Sequence, residues 1–133
     1  MYNEKVLSEF KNPKNAGNLK GANGIGKVGN AACGDVMKIS LLINERGIVE
    51  DAKFKTFGCA AAIASTNVAC EMIKGKSIEE ALKVKNSDVI AKLGGLPPVK
   101  VHCSILAEEA IKEAVADYYK RKEKNEKASD DED

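Results

Sequence analysis

The sequence predicts an α+β domain in which helices cover one face of an antiparallel sheet. Three observations carry that expectation. Apolar and polar residues alternate through the first half, the spacing shifts to three and four after residue 59, and the strands precede most of the helices.

Residues 2–10 read as a short amphipathic helix, with Val6, Leu7 and Phe10 on one side. Residues 12–30 are rich in turn formers, with Gly17, Gly21, Gly24, Gly26 and Gly29, and read as loop and irregular edge strand. Met37, Ile39, Leu41 and Ile43 then alternate with Lys38, Ser40 and Asn44, the period of a half-buried strand. Glu45-Arg46-Gly47 supplies a turn, and Ala52, Phe54 and Thr56 against Asp51, Lys53 and Lys55 complete a hairpin. The alanine-rich stretch from Ala60 to Lys74 is helical and ends near Gly75. Ser77 and Glu80 form a capping box for a helix through about Lys83, and residues 87–93 form another, stopped by Gly94-Gly95. Leu96-Pro97-Pro98-Val99-Lys100 is extended, because each proline restricts itself and the residue before it. The last helix runs from Ser104 to about Lys122, with Ala107, Ala110, Ile111, Ala114 and Tyr118 on its inner face. The expected division is a domain over residues 1–120 and a charged, disordered tail over 121–133, where Ala128 is the one apolar residue.

The 133 residues suit one domain that can bury a core without disulfides. Hydrophobic residues make up 44% and charged residues 31%, as in soluble globular chains. A net charge of +1 gives no broad basic surface, which argues against nucleic acid and against anionic membranes as partners. The longest uncharged run near the middle, residues 56–70, contains Ser65, Thr66 and Asn67 and falls short of the ~20 apolar residues that span a bilayer. The first ten residues lack the apolar core of a secretory signal, so a cytoplasmic location is expected. Cysteines there stay reduced and more often bind metal or react than form structural disulfides.

Cys33, Cys59, Cys70 and Cys103 contain no C-x-x-C pair, so a metal site would have to be assembled by the fold from distant segments. Cys33 precedes the first strong strand, Cys59 joins the hairpin to a helix, and Cys103 joins the proline segment to the last helix. Helix N-termini favour anions, and thiolates are the ligands of soft metals and iron–sulfur clusters. Three thiolates leave a tetrahedral set one ligand short, and Asp35 and His102, each close to a candidate cysteine, can supply the fourth. Cys70, inside a helix among Ile63, Val68 and Met72, reads as core packing. Gly24-Ile25-Gly26-Lys27-Val28-Gly29 matches a dinucleotide-binding pattern, but no strand precedes it and no helix follows it, so it is dismissed.

The motifs Cys33-Gly34-Asp35-Val36-Met37-Lys38, Phe54-Lys55-Thr56-Phe57-Gly58-Cys59 and Leu96-Pro97-Pro98-Val99-Lys100-Val101-His102-Cys103-Ser104, with Asn12-Pro13-Lys14-Asn15-Ala16-Gly17 ahead of them, resemble the iron–sulfur cluster scaffold proteins of the IscU type, including the N-terminal domain of NifU proteins. The likeness covers about residues 2–119. It implies a three-stranded antiparallel sheet with helices on one side, and assembly of a [2Fe–2S] cluster, with [4Fe–4S] as a further product, for transfer to apo acceptor proteins. It implies iron and persulfide sulfur as inputs, the latter from a cysteine desulfurase. Cys33, Cys59 and Cys103 would be the thiolate ligands, with Asp35 or His102 completing the set and Cys103 accepting the persulfide. Leu96, Pro97, Pro98, Val99 and Lys100 would be gripped by an Hsp70-type chaperone with its co-chaperone. Ala60-Ala61 stands where Gly-Ser is common in the family, and the C-terminal C-x-x-C domain of long NifU proteins is missing. Zinc often occupies the site in isolated family members, so a zinc-binding structural or regulatory module is the alternative. Self-association into a homo-oligomer stays open, and no enzyme turnover is expected.

Overall fold

The computed structural model describes residues 3–30, 35–96 and 105–123. Cys33, Pro97, Pro98, Val99, Lys100, His102, Cys103 and the end of the chain from residue 124 lie outside the described residues. The elements run α1 (Glu4–Lys11), β1 (Gly24–Asn30), β2 (Asp35–Ile43), β3 (Val49–Phe57), α2 (Ala60–Ile73), α3 (Ile78–Leu82), α4 (Asn86–Lys92) and α5 (Ile105–Glu123). The sheet is antiparallel in the order β1-β2-β3, so the predicted fold class holds.

The predicted hairpin is β2 and β3. Its turn is held by the Asn44 side chain, which accepts from the backbone N–H groups of Arg46 (2.9 Å) and Ile48 (3.0 Å), and by Gly47 at φ 76°. Met37, Ile39, Leu41, Ala52 and Phe54 are all buried, and they form one face of the sheet because side chains alternate across a strand.

β1 corrects the sequence reading. Residues 24–30 are a regular strand paired residue for residue with β2, from Gly24 opposite Leu41 to Asn30 opposite Asp35. The cause is tertiary. A Cβ on Gly26 would lie 2.4 Å from the Ala110 carbonyl oxygen and the Ala114 nitrogen, and one on Gly24 would lie 2.6 Å from the Ala114 carbonyl oxygen. The small residues of both elements let the α5 backbone rest directly on the strand. The glycines that read as irregularity are therefore what makes the strand possible.

α5 buries the expected inner face, Ala107, Ala110, Ile111, Ala114 and Tyr118, together with Leu106 and Val115. α2 is buried on nearly all sides, as a helix apolar around its whole circumference must be. Its Ser65 and Thr66 hydroxyls donate to the Ala62 carbonyl at 3.2 and 2.6 Å. α3 has the predicted capping box, and hydrogen bonds from Ser77 hold the Glu80 carboxyl below its ordinary pKa. α1 is the expected short helix. Val6 is fully buried, but Leu7 and Phe10 are 37% and 39% exposed.

A buried polar network fixes the segment after α1. Asn15 donates its backbone N–H to the Asn67 side-chain oxygen (2.8 Å) and its amide to the Asn67 carbonyl (3.0 Å) and to Glu71 (3.1 Å). Asn67 donates to Glu9 at 2.9 Å, and Lys74 donates to the Asn15 side-chain oxygen. Gly17 N–H bonds to the Phe54 carbonyl and Phe54 N–H to the Asn15 carbonyl, so this segment borders the free side of β3. Residues 18–22 then carry the chain back to β1. Leu19 and Ala22 in this stretch are buried, as is Ser40 of β2.

Candidate metal centre

Three stretches of chain meet at one end of the sheet. Asn30 and Asp35 are paired at the end of β1 and the start of β2, and the four residues between them include Cys33. On the other side of β2, Val36 pairs with Phe57, and Cys59 follows two residues later. α5 supplies the third stretch. Moving from Gly24 to Gly26 along β1 moves the contact from Ala114 and Tyr118 back to Ala110 and Ala114. The helix thus runs antiparallel to β1, and its first described residue, Ile105, points toward the Asn30 end. Ile105 is two residues from Cys103 in the chain.

Cys59 is half-buried and is the N-cap residue of α2, with φ −75° and ψ 172°. Its carbonyl accepts the Ile63 N–H at 3.1 Å, but its thiol makes no capping bond to the helix. Cys59 thus opens α2 at this end of the sheet, partly buried against the core. Cys70 has the opposite setting. It is fully buried, and desolvation pushes its thiol up to about 12 despite the nearby Lys74. A thiol so held stays protonated, which agrees with its assignment to the core.

Asp35 opens β2, placed by its backbone pairing, while its side chain lies outside the described residues, as do Cys33, His102 and Cys103. Among the described residues no group of three His, Cys, Asp or Glu side chains could hold a metal. Leu96 follows α4, whose end is shaped by Gly94 and Gly95 at φ 78° and 109°. The Asn3 side chain, which caps α1, donates to the Leu93 carbonyl at 2.9 Å and so ties the beginning of the chain to the start of the 96–100 segment.

Sequence reasoning missed the surface beside Cys59. Phe57 is 82% exposed and its partner Val36 53%. They border a groove of about 660 Å³ whose lining also includes Lys27, Lys38, Lys55 and Gly17. A signal was present: with Ala52, Phe54 and Thr56 facing inward, parity directs Phe57 outward, an unusual place for an aromatic side chain.

The family described as the NifU-like N-terminal domain matches residues 1–125. This chain belongs to that family. Its relatives in the family include an iron–sulfur cluster assembly scaffold protein IscU from Haemophilus influenzae, 57% identical over 120 residues that cover 88% of this chain and 94% of the relative. The protein of the same description from Escherichia coli is 52% identical over 125 residues, 92% of this chain and 97% of the relative. Among solved structures, a putative iron–sulfur cluster assembly scaffold protein for the SUF system from Fervidobacterium islandicum superposes with a TM-score of 0.73 at 27% identity, covering 86% of this chain and 96% of that one. A nitrogen-fixing NifU-like protein (N-terminal) from Brucella abortus shares the fold, with a TM-score of 0.71 at 18% identity over 90% of this chain and 94% of that one.

Proposed function

We propose that this NifU-like chain is a scaffold on which an iron–sulfur cluster is built and from which it is passed to acceptor proteins. The observation that carries the proposal is the sheet end, where β1 and β2, the β3–α2 junction and the start of α5 bring together the chain neighbours of Cys33, Cys59 and Cys103. Those three thiolates would hold the cluster, first of the [2Fe–2S] type and then of the [4Fe–4S] type, with Asp35 or His102 as fourth ligand. A carboxylate is a harder ligand than a thiolate and matches iron–sulfide less well, so Asp35 would keep the cluster transferable.

Cys103 would accept persulfide sulfur from a cysteine desulfurase, and Leu96 to Lys100 would be the segment a chaperone and its co-chaperone grip to promote release. The chain's own work is to hold and orient its cargo, with no net turnover. No helix among the described residues is long and apolar enough to cross a membrane, and the proposed setting is the cytoplasm. The zinc-module alternative gains no support from the relatives, which are described as cluster scaffolds.

Anaerobic reconstitution with iron, cysteine and a desulfurase tests the reading. The expected product absorbs in the visible and gives the Mössbauer doublets of an iron–sulfur cluster. A colourless protein that takes up zinc and no sulfide would overturn it.

A further inference from the structure

The sheet face turned away from the helices carries a row of lysines. Lys27 pairs with Lys38 and Lys38 with Lys55, so the three side chains stand abreast on neighbouring strands. Lys53, opposite Ser40, extends the patch along β3. Strands lie ~4.8 Å apart, so the three side chains are immediate neighbours. Lys38, in the middle, is 6% exposed and so forms part of the groove floor. Asp51 lies on the same face, and its carboxylate is 3.5 Å from the ammonium of Lys74.

The chain also carries the opposite charge in concentrated form, in Asp130-Asp131-Glu132-Asp133. Between these and α5, residues 124–129 hold Lys124, Glu126 and Lys127 and are nearly neutral. We propose that the acidic run at residues 130–133 docks in cis on Lys27, Lys38 and Lys55, in the groove beside Val36 and Phe57, and on Lys53 next to it.

The distances allow it. The Asp117 carboxylate bonds to the Ile25 N–H at 2.9 Å, which fixes α5 against the outer strand, β1, two residues from Lys27. From there to Glu123 the helix runs on by ~9 Å. The chain must return that length, advance two strand residues and pass around the β1 edge, a path on the order of 20 Å. Seven residues from Glu123 to Asp130 span at most ~25 Å when extended. The remaining acidic residues then reach across the sheet toward Lys55. Tethering places the run at an effective concentration in the millimolar range, which favours the same chain over a second copy. A docked tail must be displaced by any partner that uses this groove, and it does so whether or not a cluster forms at the sheet end.

Zero-length carbodiimide crosslinking of the full chain, mapped by peptide mass spectrometry, tests the placement. Amide links from residues 130–133 to Lys27, Lys53 or Lys55 are expected in the monomer fraction. Their yield should fall about five-fold or more from 20 mM to 500 mM salt, as the Debye length shrinks from about 20 Å to about 4 Å. Links spread evenly over all exposed lysines, links only between chains, or a yield indifferent to salt would overturn it. A full-length variant with Asp130→Asn, Asp131→Asn, Glu132→Gln and Asp133→Asn adds an independent reading. Its amide chemical shifts should differ from the parent at residues 25–27, 36–40 and 53–57. Unchanged shifts there would equally overturn the proposal.

Discussion

Cys59 and Cys70 are eleven residues apart in one stretch of chain, yet they have opposite chemical settings. Cys59 caps the first turn of α2 at the end of the sheet, half-buried, with its thiol uninvolved in capping. Cys70, three turns on, has no exposed surface and a thiol pushed up to about 12 by desolvation. The residue type is the same, and the local fold decides which sulfur can serve as a ligand. The Cys59 thiol stands at an element junction and is only partly buried, whereas the Cys70 thiol is fully desolvated, and the nearby Lys74 does not offset that cost.

The sharpest way to break this contrast is substitution of each thiol. Cys59→Ser should abolish stable cluster formation in anaerobic reconstitution while leaving the circular dichroism spectrum unchanged. Cys70→Ser should form the cluster in normal yield. Equal cluster yields in the two variants would remove Cys59 from the ligand set.

The next largest effect concerns what holds the site in place. Gly26→Ala sets a methyl group against the α5 backbone and should cost about 3 kcal/mol in urea unfolding. The same change at exposed, positive-φ Gly75 meets no atom and should cost less, through backbone strain alone. Comparable losses at both positions would show that the α5–β1 approach is not as tight as described.

Cys70→Ala should cost about 1–2 kcal/mol, since it trades a buried sulfur for a small void. It should leave uptake of iron and sulfide untouched.

A further effect appears only in alkali. Unfolded Cys70 loses its proton near its ordinary value of 9.0, but the folded thiol keeps it until about 12. The folded state therefore binds more protons across that window, and this contribution to stability is complete below pH 9 and declines as pH rises toward 12. The slope approaches ~1.4 kcal/mol per pH unit. Urea midpoints between pH 8.5 and 10.5 should fall more steeply for the parent than for Cys70→Ala. Parallel curves would show that burial is not what sets the Cys70 thiol.

The sequence was most legible where one period governs a whole element. Met37, Ile39 and Leu41 give the β2 parity unaided, and Ala107, Ala110, Ile111 and Ala114 give the inner face of α5. It was least legible at β1, because Gly24 and Gly26 have no side chain with which to signal alternation, and the reason for them lies in a helix some ninety residues away. Leu7 and Phe10 share a helical stripe with Val6, as read, but spacing alone does not say how much of a stripe is covered. At the site, position at an element junction singled out Cys59 and separated it from Cys70. The lysine row stayed hidden, because Lys27, Lys38 and Lys55 become neighbours only through the register of three strands.

The bond from the Ile25 N–H to the Asp117 carboxylate has a consequence for association between molecules. β1 is the outermost strand, and an outward-facing N–H on such a strand is a template for adding another chain's strand. Here that donor is already satisfied by a side chain from α5, and Asp117 is itself held by Arg121 at 2.8 Å. On the opposite border, the segment around Ala16 occupies β3. Copies of this protein therefore meet resistance to growing a continuous sheet from either border, which protects a glycine-rich strand from fibrillar stacking.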